Sequence, residues 1–284
     1  MKKIFHFLFL VSLFFIVSCD KVKRPIQSVT VVPTADTTKY IRKVLLEDYT
    51  GHTCGNCPPA AVQAEALAEQ NGGKVIVVAV HAGDFAATKT QYPTSYTTAT
   101  GNDWDGTAGF NISRGAGNPN GLVNRKSYDG SNMIQPVSKW SSAVSSALAE
   151  PYILGLNIKP VYDAGNRTLN VTVKANFKTT YSSNTKLTLI LTEDSIIGPQ
   201  TDYNQSPSKI PNYVFMHVLR GSVNGSWGTT LKNTPIAAKD SVSLSFNNFA
   251  INPLFNDKRL YLLAFASNEA TREVIQVEKI KLKP

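Results

Sequence analysis

Between residues 40 and 81 the chain has little freedom to be anything other than a strand–helix–strand crossover. Tyr40 to Tyr49 (YIRKVLLEDY) reads as a strand. Ala60 to Gln70 (AAVQAEALAEQ) is built from strong helix formers and is stopped by Asn71-Gly72-Gly73. Lys74 to His81 (KVIVVAVH) is a continuous apolar run, the mark of a central strand covered on both faces. Crossovers of this kind are almost always right-handed. In the joint between the first strand and the helix stands TGHTCGNCPP, with Cys54 and Cys57 separated by two residues. Pro58 and Pro59 fall at or near the first helical turn, where a missing N–H costs least.

Two cysteines at this spacing can hold a metal, staple a turn, or exchange electrons with other thiols. Structural zinc asks for four Cys or His ligands, usually in two close pairs. His52, His81 and His217 are present, but the sequence has no second close pair. A staple across so short a loop removes little chain entropy and stabilises weakly. Redox exchange asks for a thiolate, which the free N–H groups and dipole of a helix N-terminus favour. The pattern places Cys54 at that N-terminus and Cys57 one turn in, more buried and suited to be the resolving thiol.

The third cysteine bears on this choice. Lys2 and Lys3 precede a run from Ile4 to Val17 that is apolar except for His6 and Ser12. The run is short for a membrane span and has the size of a signal-peptide core. It ends in Ile16-Val17-Ser18-Cys19, which resembles a bacterial lipobox. Residues 1–18 are then expected to be a signal peptide, Cys19 the lipidated residue, and 19–38, polar with Pro25 and Pro33, a tether. An anchor of several acyl chains binds a membrane durably. With Cys19 on lipid, Cys54 and Cys57 are the one remaining pair. The formal charge of +9 over 284 residues is scattered, apart from Lys21, Lys23 and Arg24 beside the anchor. Those three suit lipid headgroups, and no nucleic-acid motif accompanies them.

Residues 82–118 are rich in Thr, Gly and Asn, with Phe85, Tyr92, Tyr96, Trp104 and Phe110 spaced along them. Their aromatics are expected to wall a substrate groove or to pack on the core. Asn118 to Asn124 looks like a turn feeding a short strand. Met133 to Glu150 carries an amphipathic helical pattern through Val137, Trp140, Val144 and Leu148. From Pro151 the chain becomes a series of short alternating strands, among them YVFMHVLR (213–220), and these argue for an antiparallel sandwich.

The segment around the cysteines resembles a thioredoxin-fold active site. The resemblance implies that Asp48, six residues before Cys54, is a buried acid exchanging protons with the resolving cysteine; Glu47 is its rival on the other strand face. It implies that Asn118-Pro119 is the cis-proline loop, where Asn118 pairs backbone to backbone with a substrate peptide. His52 and Thr53 stand where thioredoxins carry a tryptophan before the first cysteine. The Gly-Asn pair inside the motif is also unlike theirs, which leaves the direction of exchange open. A protonated His52 at the substrate side would lower the Cys54 pKa.

Over the whole chain, the lipobox, TGHTCGNCP, Pro119 to Arg125 (PNGLVNR) and His217-Val218-Leu219-Arg220-Gly221 are together similar to the twenty-eight-kilodalton outer-membrane protein family. That likeness implies a lipoprotein of the cell envelope, on the periplasmic or the surface face of the outer membrane. The expected fold is an α/β thioredoxin-like domain over 39–150, with an insertion at 82–118, followed by an all-β antiparallel sandwich domain over 151–284. His217 and Arg220 are expected to join the two. The expected function is exchange with protein thiols or disulfides of the envelope, through Cys54, Cys57 and Asp48, with no cofactor, metal or nucleic acid. The alternative is a binding or adhesion lipoprotein in which the same pair is an inert disulfide.

Overall fold

The computed structural model describes residues 40–283 except 129, 131, 233 and 234; the expected signal peptide, Cys19 and the tether lie outside the described residues. β1 (Val44–Thr50) and β2 (Val75–His81) pair in parallel, Val44 opposite Val75 through to Thr50 opposite His81. Every residue in both is buried. Helix α1 (Cys57–Gln70) makes the crossover with Pro58 in its first turn. It ends where Asn71 Nδ2 donates to the Leu67 carbonyl and Gly72 and Gly73 take left-handed backbone angles. The insertion contributes two short helices, α2 (Ala99–Asp105) and α3 (Ile112–Gly115). β3 (Asn120–Val123) then runs antiparallel to β1, and β4 (Ile134–Pro136) antiparallel to β3.

The amphipathic stretch from Met133 yields a shorter helix than expected, α4 (Trp140–Ala149). Pro136 removes an N–H and pushes Gln135 out of the helical region, so residues 134–136 are spent on a strand. The helix follows only after a 3₁₀ turn at Val137–Lys139.

The later strands are β5 (Leu154–Asp163), β6 (Thr168–Phe177), β7 (Thr185–Glu193), β8 (Ile196–Thr201), β9 (Lys209–Phe215), β10 (Val218–Ser222), β11 (Thr229–Lys232), β12 (Ser241–Ala250), β13 (Leu260–Asn268) and β14 (Val274–Lys281). The stretch expected as one strand over 213–220 is two. His217 sits at φ 57° between β9 and β10 and breaks the extended run. β5, β6 and β12 form a three-stranded antiparallel sheet, and β8 and β9 a separate hairpin.

The remaining strands correct the expected separation at residue 150. Among the described residues they form one nine-stranded sheet in the order β14-β13-β7-β10-β2-β1-β3-β4, with β11 beside β7. β10 lies parallel to β2, Val218 opposite Ala79, and the Ala79 N–H donates to the His217 carbonyl at 2.8 Å. The second half is therefore not purely antiparallel. Its strands complete the sheet of the first half, and the described residues belong to one compact unit. A central strand such as β2 needs a neighbour on each edge; β1 supplies one and β10 the other.

One face of this sheet is continuous across both halves. Leu45, Tyr49, Ile76, Val78 and Val80 share a core with Ile190, Leu263, Phe265 and Val277, and Trp104 and Ile112 from the insertion cover it. The insertion thus mainly packs, although Phe85 is 43% exposed. On the opposite face, Val44, Leu46, Val75 and Val77 meet α1 and α4. Farther along, β7 and β13 meet β5 and β6, and that part is a sandwich.

Two charge clusters, the first buried and the second partly exposed, tie the layers. Glu47 points away from Asp48, into the continuous core, where Arg125 grips it with Nε and Nη2 at 2.9 and 2.7 Å. The rings of Trp104, Phe110 and Phe265 lie 4.5–5.0 Å from that guanidinium. The second cluster is centred on His217, whose Nε2 lies 2.7 Å from Glu65 of α1 and whose Nδ1 lies 3.0 Å from Asp194. Burial alone would raise the Asp194 pKa, but the His217 imidazolium and Lys279 hold it below the usual carboxylate range. Burial likewise opposes charge on His217, yet Asp194 and Glu65 raise its pKa. Arg220 lies 3.2 Å from Glu193 and stacks on Phe255 at 4.0 Å. His217 thus links elements of the two halves through Glu65, whereas the contacts of Arg220 to Glu193 and Phe255 lie within the second half.

Candidate functional site

Cys54 and Cys57 are joined as a disulfide with their Cα atoms 5.4 Å apart. Both are buried, at 2% and 1% exposure. The helix begins at Cys57, so Cys54 lies in the turn before it rather than in its first turn. The turn closes on itself, the Cys54 N–H donating to the Gly51 carbonyl at 3.0 Å and the Cys57 N–H to the Cys54 carbonyl at 3.2 Å. Gly51 is required by close approach: a Cβ there would lie 2.3 Å from the backbone of Phe85. From the same side, the Thr53 N–H and hydroxyl both donate to the Phe85 carbonyl, at 3.1 and 3.0 Å.

The other side of the loop is held by the hairpin of β8 and β9, a contact that sequence reasoning missed. Gln200 Nε2 donates to the Cys54 carbonyl at 3.0 Å. The Thr201 N–H donates to the His52 carbonyl and the Tyr203 N–H to the Gly55 carbonyl, each at 2.9 Å. The Tyr203 ring rests against Gly55, where a Cβ would fall 2.5 Å from it. This strap accounts for the low exposure of Cys54.

Beneath Cys57 the sheet carries Asp48 and Thr50 on β1 beside Ala79 and His81 on β2. These residues, with Cys57, Gln200 and Phe215, line a cavity of about 30 Å³. Asp48 is 2% exposed, and its Oδ1 has no hydrogen-bond partner among the described residues. Burial in these apolar surroundings pushes its carboxyl pKa up to about 7. His81 is also 2% exposed, and neither ring nitrogen makes a well-formed hydrogen bond to a described protein group. Burial, with smaller contributions from His52 and Arg220, lowers its pKa to about 3, so it is a neutral imidazole.

His52 is at 1% exposure, stacked on Tyr92 at 5.4 Å and edge-on to Tyr96 at 5.8 Å. Its Nε2–H donates to the Ala87 carbonyl at 3.1 Å, and burial lowers its pKa. It therefore lies inside the fold as a neutral ring, not at a surface where it would present a cation to Cys54. The bond between Asn118 and Pro119 is cis. Asn120, which follows, pairs with Tyr49 just upstream of the cysteine turn. Both polar atoms of the Asn118 side chain are buried with no partner among the described residues. No group of three or more His, Cys, Asp or Glu among the described residues is placed to hold a metal ion.

By fold and site, this is a mixed α/β-sheet protein with a buried Cys-x-x-Cys disulfide beside an unpaired carboxyl group. It belongs to the Omp28 outer membrane protein family, whose model matches residues 110–284. That membership places it at the outer membrane of the cell envelope. The matched span includes Asn118-Pro119 and begins after the cysteine turn. Among the described residues, no helix is long and apolar enough to cross a membrane. A domain of the outer membrane lipoprotein Omp28 from Porphyromonas gingivalis is 25% identical, over 45% of this chain and 96% of that one, with a TM-score of 0.29. A protein of Agrobacterium tumefaciens is 11% identical, over 86% of this chain and 96% of that one, with a TM-score of 0.49. No curated protein matches the chain.

Proposed function

We propose that this chain is a lipid-anchored thiol–disulfide exchange protein of the outer membrane, tethered through Cys19, with a thioredoxin-like redox site on its first half. The observation that carries this reading is Asp48. A carboxyl group buried without a partner is costly to the fold. An inert staple has no use for one beside it, whereas a resolving thiol needs a nearby group to take its proton. In the exchange, the Cys54 thiolate attacks a substrate disulfide and expels one substrate sulfur as a thiolate, leaving a mixed disulfide. Cys57 then gives its proton to the Asp48 carboxylate, and the resulting thiolate attacks Cys54 Sγ. The Cys54–Cys57 disulfide forms and the second substrate sulfur leaves as a thiolate. Two electrons pass from the cysteine pair to the substrate; run backwards, the same steps oxidise a substrate dithiol. The loop at Asn118 and Pro119 holds the substrate strand.

The buried Cys54 means that exchange requires the strap from Gln200 to Tyr203 to lift. The hydrogen bonds of Gln200 to the Cys54 and Gly51 carbonyls, of Thr201 to His52 and Tyr92, and of Tyr203 to Gly55 contribute about 0.5–1.5 kcal/mol net each, so opening costs several kcal/mol. Substrates are protein thiols or disulfides of the envelope.

The test uses the Cys57→Ala chain. It should accumulate mixed disulfides through Cys54 that reductant releases and that Cys54→Ala abolishes, and the native chain should reduce a model protein disulfide or oxidise a model protein dithiol. If neither occurs, the second reading stands: a binding protein with an inert disulfide, which the 2% exposure of Cys54 favours.

A further inference from the structure

We propose that His81 is a positioning residue for this site: together with Asp48 it holds a water molecule in the cavity beneath Cys57, and that water carries the proton between the Cys57 thiol and the Asp48 carboxyl. The inference deepens the exchange reading above and rests on it.

The register of β1 and β2 sets Asp48 opposite Ala79 and Thr50 opposite His81. All four therefore face α1, with Asp48 and His81 as diagonal neighbours across the pair. The cavity they share with Cys57 measures about 30 Å³. A buried water needs at least about 10–15 Å³ by that measure and two to four polar partners. Asp48 and His81 both line it, and Asp48 Oδ1 and the two His81 nitrogens have no well-formed partner among the described residues. Thr50 and Cys57 line it as well. Two side chains with unpartnered polar atoms, lining one small space from two strands, are hard to explain as packing, because each such atom would cost about 1–3 kcal/mol if left dry.

A neutral imidazole suits the task, since one nitrogen donates and the other accepts. It can follow the water as Asp48 passes between carboxyl and carboxylate. The groups around His81 keep it neutral. Asp48 on β1 and Cys57 on α1 face it across the cavity. Tyr96 of the insertion packs edge-on at 5.2 Å, and β9 brings Tyr213 and Phe215 alongside. His52 and Arg220 of β10 both disfavour a cation on the ring, and a backbone group of Ala79 acts weakly the other way. When Cys57 surrenders its proton through the water, a thiolate replaces a carboxylate and the charge of the pocket does not change.

The experiment compares the reduced full chain with His81→Leu and His81→Gln. The Asp48 carboxyl is titrated by carbon NMR, and the Cys57 thiolate by the pH dependence of its alkylation with iodoacetamide. Losing both nitrogens in His81→Leu should move the two midpoints by about one pH unit or more. His81→Gln, which still offers donor and acceptor atoms, should stay close to the native curve. Native curves in His81→Leu would overturn the proposal, as would a displacement in His81→Gln as large as that in His81→Leu. Should His81→Leu fail to fold by circular dichroism, His81→Met takes its place with the same expectation. Turnover of a model disulfide by the native chain is read alongside. Turnover with unmoved midpoints in His81→Leu ends the His81 proposal alone. Moved midpoints without turnover end the exchange reading, and with it the catalytic purpose given to His81.

Discussion

Replacing Arg125 with alanine will destabilise the fold by about 3–5 kcal/mol. The guanidinium and its partner Glu47 have side chains at 2% and 0% exposure, so neither is relieved by water. Two hydrogen bonds and three surrounding rings hold the cation in place. Without it, the Glu47 carboxylate must either stay charged in a dry core or take up a proton. Urea unfolding gives the measurement: the midpoint should fall while the slope stays constant. A loss below about 1 kcal/mol would show that the pair contributes little. The double replacement Glu47→Leu with Arg125→Met should recover much of the loss, because well-packed apolar groups often match a buried ion pair in stability.

Replacing Asp48 with asparagine should have the opposite sign, and only above acidic pH. The carboxyl pKa rises from 3.8 to about 7 in the fold. The native state therefore keeps a proton that the unfolded chain releases between those values. Below pH 3.8 both states are protonated and the carboxyl makes no pH-dependent difference. As pH rises through 7 its cost grows towards about 4 kcal/mol, because each pH unit between the two values adds about 1.4 kcal/mol. The stability of Asp48→Asn relative to the native chain should thus increase by about 2–4 kcal/mol between pH 4 and pH 8. The amide's own cost of burial is the same at both pH values and cancels. A difference that stays flat with pH would mean that the Asp48 carboxyl titrates alike in the folded and unfolded chains. Under the exchange function proposed above, the same variant should also exchange disulfides more slowly, trading activity for stability.

These two residues also show what the sequence can convey. The alternation along VLLEDYT places Glu47 and Asp48 on opposite faces of β1, but nothing local says which acid finds a cation. That depends on Arg125, far along the chain, turning into the same core. The β-α-β crossover, its cysteine turn and the helix stop were legible because each is written in adjacent residues. The extent of α4 was overread because Pro136 outweighs an apolar period that continues past it. His81 was visible only as a stray ring at the end of an apolar strand. The strap was not legible at all: Gln200, Thr201 and Tyr203 meet the cysteine turn mainly through backbone groups, and those carry no residue signature. The place of β10 was hidden for a related reason. Parallel pairing with β2 is set by the His217 carbonyl and by the loop geometry around Asp194, neither of which leaves a periodic trace.

The position of β10 has a consequence for cutting the chain. A fragment ending near residue 150 would contain the whole cysteine turn, Asp48 and the Asn118-Pro119 loop, and would look like a complete redox module. It would also strip one flank from Val75–His81, a strand with no exposed residue, and lay bare a row of apolar side chains and unanswered N–H and C=O groups. Such an edge recruits other chains and aggregates. An engineered graft of the first half should therefore also carry a substitute for Val218–Ser222, which supplies the second neighbour of Val75–His81.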